Sequence, residues 1–208
     1  MVQRGGRLKV IRRFGTPLPG LTRKTPREEA PPGGARARGG GPARRPPKKK
    51  SEYGRRLEEK QKVRYHYGIT ERQLRNMFAS ARRSAGVTGH NLLALLERRL
   101  DSVVFRLGFA PTIPAARQLV SHGHIVVNGK RVSFPAQLVD QGDEVAVSAR
   151  ARSMPGVVSA VDSGPLVALP SFLTRGDDGF SGRVSGAPAR EDVPFIVDET
   201  AIVEFYAR

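Results

Sequence analysis

The alternation of apolar and polar positions becomes regular only after residue 50 of this 208-residue chain. Before that point Leu8–Phe14 is a short stretch with apolar content, and Pro31 to Lys50 consists of Gly, Pro, Ala, Arg and Lys. Such a segment buries too little apolar surface to offset its ordering entropy. Residues 1–50 therefore read as a basic, extended arm that orders only against a partner.

From Ser51 the pattern turns helical. Arg55 to Tyr65 alternates in charge, with Glu58 and Lys62 one helical turn apart, and Gly68 ends that helix. Thr70 and Gln73 form a capping-box pattern ahead of a helix carrying Leu74, Met77, Phe78 and Ala81 on one face, which Gly86 ends. Leu92, Leu96, Leu100, Val103 and Leu107 then repeat at three- and four-residue spacing, predicting one long helix from about Asn91 to Gly108. Thr112 is placed to cap the next helix, with Pro114 in its first turn and Gly123 as its left-handed exit. Ile125-Val126-Val127 reads as a strand, Asn128-Gly129 as a tight hairpin turn, and Lys130-Arg131-Val132 as the return. A turn at Asp140–Asp143 leads to a strand over Glu144–Ser148, and Ile202–Tyr206 reads as the last strand.

The predicted fold is α+β. Residues 1–50 form the arm, 51–90 a helical domain packed with 191–208, and 91–150 a helix–helix–hairpin module with a short mixed sheet. Residues 151–190 are a loop-rich continuation.

Charge changes the picture most. Lys and Arg number 36 against 19 Asp and Glu, a formal net charge of +17. Repulsion of that size calls for a polyanionic partner. The excess is graded along the chain: +15 over residues 1–64, +5 over 65–150 and −3 over 151–208. No apolar run approaches the roughly 20 residues that a membrane-spanning helix needs, and no secretion signal is evident. The absence of cysteine removes disulfides, thiolate nucleophiles and cysteine-ligated zinc together.

Catalysis finds no support, because the chain has no Gly-Lys-Ser/Thr phosphate loop, no nucleophile in a recognisable setting and no acidic pair in an apolar segment. No cofactor, metal or small-molecule substrate is expected. Binding is the chemistry on offer. Arg98, Arg99, Arg106, Arg117, Lys130 and Arg131 surround the apolar stripe of the module, and guanidinium forks suit phosphate oxygens. Gln118 is placed for a polar RNA contact. His122 and His124 flank Gly123 without a nearby carboxylate or thiol, which favours RNA hydrogen bonding or stacking over metal. Replacing Arg117 and Arg131 together is expected to weaken RNA binding and leave the fold intact.

Several blocks resemble the ribosomal small-subunit protein four family. They are Arg7–Gly15, Leu57–Gly68, Thr70–Leu74, Thr88–Phe109, Ala116–His124 and Ile202–Tyr206, in the family's order and across nearly the whole chain. The block over 96–132 alone would name only an RNA-binding module that also serves pseudouridine synthases and some tRNA synthetases. Residues 148–208 are too few for the catalytic domain those enzymes need.

The resemblance implies a primary binder of 16S ribosomal RNA. Such a protein contacts the 5′ domain, nucleates assembly of the subunit body, and supports decoding accuracy through the fifth small-subunit protein. It implies a ribosomal, cytoplasmic location, with a plastid left open. It adds Arg12, Arg13, Arg55, Arg56, Lys60, Lys62, Arg64, Arg72 and Arg75 to the RNA-binding set, and places Arg44, Arg45, Lys48, Lys49 and Lys50 at the messenger RNA entry channel. Many bacterial members carry zinc-binding cysteines near the N-terminus; this chain has none. The family's Pro-Gly-x-His-Gly stretch is replaced by the insert from Gly33 to Pro47. The alternatives are a free RNA-binding assembly or stress factor built on the same module, and a non-specific DNA-compacting protein.

Overall fold

The computed structural model describes residues 6–23 and 51–207. Arg44, Arg45, Lys48, Lys49 and Lys50, with most of the expected arm, lie outside the described residues.

Within them the chain is α+β. Helix α1 (Arg7–Phe14) precedes α2 (Glu52–His66), α3 (Glu71–Arg83), α4 (Thr88–Glu97), α5 (Leu100–Arg106) and α6 (Ile113–Ser121). Strands β1 (Ile125–Val127), β2 (Lys130–Val132) and β3 (Glu144–Val147) follow, then α7 (Pro155–Ser163), β4 (Leu173–Arg175), β5 (Ser181–Val184) and α8 (Glu199–Tyr206). The strands form one sheet in the order β2-β1-β3-β5-β4, and every pair is antiparallel, so the sheet is not mixed as expected.

Local chemistry explains most boundaries. Thr70 and Gln73 close a complete capping box at the start of α3, and Thr112 Oγ1 accepts from the Ala115 N–H ahead of Pro114 in α6. Gly68 and Gly123 exit their helices at φ +60° and +69°. Asn128 and Gly129 both take positive φ, as a two-residue hairpin between β1 and β2 requires. A Cβ on Gly123 would also collide with the guanidinium of Arg131, which lies across that turn.

Four further expectations need correction. The long helix from Asn91 is two helices: Arg99 is extended at φ −66°, ψ 139° and bridges to Leu138. The Leu100 and Asp101 N–H groups donate to the carbonyls of Gln137 and Pro135, so the 135–139 segment claims the backbone there instead of a helical turn. Ile202–Tyr206 is helical. Asp198 caps α8 through the Ala201 N–H, and the apolar side of α8 packs on α2 and α4. Residues 151–190 contribute α7, β4 and β5 to the fold rather than loop alone.

The fourth concerns the beginning of the arm. Residues 7–14 form a helix, and Ile11, Phe14, Leu18 and Leu21 are buried in the main core. The Ile113 N–H donates to the Gly20 carbonyl at 2.8 Å. A side chain on Gly20 would meet Ile113 Cδ1 at 2.6 Å and the His66 carbonyl at 2.9 Å, so this segment fits the start of α6 only as glycine.

Candidate nucleic-acid interface

The break between α4 and α5 places charged side chains inside the protein. Asp101, fully buried, accepts from Arg99 Nε at 3.0 Å and Nη2 at 2.8 Å, from Arg117 Nη2 at 2.6 Å, and from the Ser102 N–H. Arg117 also donates Nη1 to the Gly68 carbonyl at 2.6 Å and Nη2 to the Tyr67 carbonyl at 3.2 Å. One guanidinium thus ties α6 to α5 and to the end of α2. The expectation that replacing Arg117 leaves the fold intact does not survive this geometry: truncation would orphan part of a buried carboxylate and two carbonyls.

A second buried group lies beside it. Tyr67 Oη donates to Glu97 Oε1 at 2.6 Å and Arg106 Nε to Glu97 Oε2 at 2.9 Å. Burial, then the Glu97 charge, pushes the Tyr67 hydroxyl well above its ordinary range, so it keeps its proton and remains the donor. Another Arg106 nitrogen donates to the Asp192 carbonyl. Arg99 and Arg106 are both about 3 % exposed, so neither belongs to the exposed RNA-facing ridge expected of them.

The same correction reaches α2. Lys60 is buried, 3.0 Å from Glu71 and 4.4 Å from the Phe205 ring. Arg56 sits 2.7 Å from Glu204, Lys62 bonds Glu59 at 2.6 Å, and Arg64 lies 3.7 Å from Glu71. These cations join α2 to α3 and α8 or brace α2 itself. Arg55 stays exposed with a loose 3.7 Å pairing to Asp198, and Arg98 pairs with Asp140 at the surface.

His66 has an ionisation consequence. Its ring is buried, stacked on Phe195 at 4.2 Å and edge-on to Tyr67 at 4.7 Å, and its Nδ1 has no partner. Burial, and then the Arg106 charge, hold its pKa well below 6.5. Below pH 6.5 the unfolded chain takes up a proton that the folded ring refuses, so stability is complete above that pH and falls beneath it. The expected loss is up to about 1.4 kcal/mol per pH unit. Urea unfolding at pH 7.5 and 5.5 should show this decline in the parent and a flatter profile in His66→Phe; equal slopes would refute it.

What remains outside is a set of cations with no carboxylate partner among the described residues. On α1 these include Arg12 and Arg13; on α3, Arg72, Arg75, Arg82 and Arg83; on the hairpin, Lys130 and Arg131; and after β3, Arg150. Arg82, Arg83 and Arg150 are absent from the expected set. Arg82 and Arg83 end a helix whose apolar stripe leaves them facing out, a signal available from its 3.6-residue period. Gln118 and His122 are exposed on and just after α6, and the rings of His122 and His124 lie 6.0 Å apart. No cluster of three or more metal-ligating side chains occurs among the described residues.

Comparison with known proteins accounts for both halves. Residues 3–97 match the model of the ribosomal protein S4/S9 N-terminal domain, and residues 98–145 match the S4 domain. The chain belongs to the ribosomal S4 family. A protein of Synechococcus sp. (strain JA-2-3B'a(2-13)) named small ribosomal subunit protein uS4 is 50% identical over 205 residues, covering 98% of this chain and 97% of that one. Proteins of the same name from Methylobacillus flagellatus and Thermosynechococcus vestitus are 46% and 50% identical, over 98% and 99% of this chain and 96% and 97% of theirs. S4-family membership makes the chain a small-subunit ribosomal protein with an RNA-binding domain, not an enzyme.

Proposed function

We propose that this S4-family chain is a primary binder of 16S ribosomal RNA. In this reading it engages the 5′ domain, nucleates assembly of the subunit body, and works on ribosomes in the cytoplasm. The observation that carries the reading is the segregation of its cations. Those on α2, at the α4–α5 break and on α5 are largely consumed by carboxylates of the chain itself, while α1, the outer face of α3 and the β1–β2 hairpin keep theirs exposed and without carboxylate partners among the described residues. Backbone contact at a junction of RNA helices suits such a surface better than reading base edges, because A-form RNA hides its major groove.

Arg12, Arg13, Arg55, Arg72, Arg75, Arg82, Arg83, Arg98, Gln118, His122, His124, Lys130 and Arg131 are the proposed contacts, with Arg117 positioning α6 from beneath. The acidic C-terminal third is proposed to face the fifth small-subunit protein and, through it, decoding accuracy. Arg44, Arg45, Lys48, Lys49 and Lys50 are proposed to meet messenger RNA near the entry channel. Purified protein should bind the 16S 5′-domain transcript far more tightly than an unrelated structured RNA of equal length, at moderate salt with magnesium. Equal binding to both would leave only charge-driven association and refute the specific reading.

A further inference from the structure

An apolar cleft of about 300 Å³ opens between α6 and the start of α7. Phe109 and Pro111 lie at one side, Ala115 and Leu119 come from α6, and Met154 to Val157 line it from α7. Three polar side chains share the lining: Gln118, His122 and His124. None of the three donates or accepts a side-chain hydrogen bond within the described residues. His122, Arg131 and Arg150 lie close enough to His124 to act on its charge. Burial and these neighbours lower the pKa of His124, so near neutral pH the ring is uncharged, with one nitrogen to donate and one to accept.

We propose that this cleft receives a single unstacked nucleobase of the bound RNA. The inference rests on the RNA-binding reading above and gives that surface a ligand class. An apolar slot of this size, at the lower end for small-ligand pockets, suits one heterocycle rather than a helix. The free amide and imidazoles beside it match the donor and acceptor edge of a base. Arg131 and Arg150, close enough to act on the charge of His124 in the lining, match the phosphates on either side. Sequence-specific RNA recognition works this way, through bases splayed out of the stack and held between apolar surfaces and hydrogen-bonding side chains.

Two variants of the full chain test the idea. Ala115→Phe fills the slot, and Gln118→Ala removes an exposed amide that no other residue needs for folding. Each should weaken binding to the 16S 5′-domain transcript about tenfold, the usual weight of one stacked base. The slope of log affinity against log salt should not change, since no phosphate contact is removed. Chemical probing of the wild-type complex should show one unpaired base protected from modification, and that same base should regain reactivity with either variant.

Wild-type affinity for both variants, with no base changing its reactivity, overturns the proposal. Normal binding to naked RNA combined with poor incorporation of Ala115→Phe into subunits also overturns it, in favour of a protein side chain as occupant. A wild-type protein that does not prefer the 5′ domain would instead refute the underlying RNA reading, a result visible before any variant is made.

Discussion

Asp101→Ala should cost about 3–5 kcal/mol of stability, the usual penalty for breaking a buried ion pair by removing one partner. Arg99 would remain buried with its fork unpaired, and Arg117 would lose the carboxylate that aims it at the Tyr67 and Gly68 carbonyls. Domains of this kind are stable by only about 5–15 kcal/mol, so this loss is a large share of the total. Asp101→Asn keeps acceptor oxygen but no charge and should fall between. Urea unfolding followed by helical circular dichroism measures both. A midpoint for Asp101→Ala within error of the parent would mean that the two arginines find other partners.

Changing Arg72, Arg75, Arg82 and Arg83 together to Gln should leave stability nearly untouched while binding to RNA collapses. All four are exposed and lack carboxylate partners among the described residues, so no internal pair is broken. Each phosphate contact contributes roughly 0.9 to the slope of log affinity against log salt, so the slope should shrink by about 3 to 4. Affinity at moderate salt should fall on the order of a hundredfold or more. An unchanged slope would show that α3 faces away from the RNA, and the exposed cations of α1 and the hairpin would then have to carry the interface.

Much of the fold is legible in the sequence because local chemistry decides it. The Thr70/Gln73 box, the Thr112 cap ahead of Pro114, and the Asn128-Gly129 turn each close within a few residues, and each forms as read. The misreadings occur where distant partners decide. Nothing local at Arg98-Arg99 stops a helix; the stop comes from 135–139, far along the chain. Ile202-Val203 and Phe205-Tyr206 have the β-branched and aromatic character of a strand, yet Tyr206 donates to Glu71 at 2.8 Å and its ring packs 4.8 Å from Phe78, contacts that a helix presents to α3.

The interface shows the same division. Family resemblance and charge identify RNA binding, but side-chain type alone does not separate a guanidinium that meets phosphate from one that meets Asp101 or Glu97. Arg98 and Arg99 are adjacent, and only the second is buried. The distinction lies in three dimensions.

The two family matches meet between Glu97 and Arg98, and that seam runs through the buried polar groups. Glu97 lies on one side and its partner Arg106 on the other; Arg117 reaches back from the second half to the Tyr67 and Gly68 carbonyls of the first. A module that elsewhere travels between unrelated enzymes is therefore welded in place here. Cut out at the seam, it would carry arginines whose acceptors stayed behind, so the two halves of this chain should unfold together as one cooperative unit.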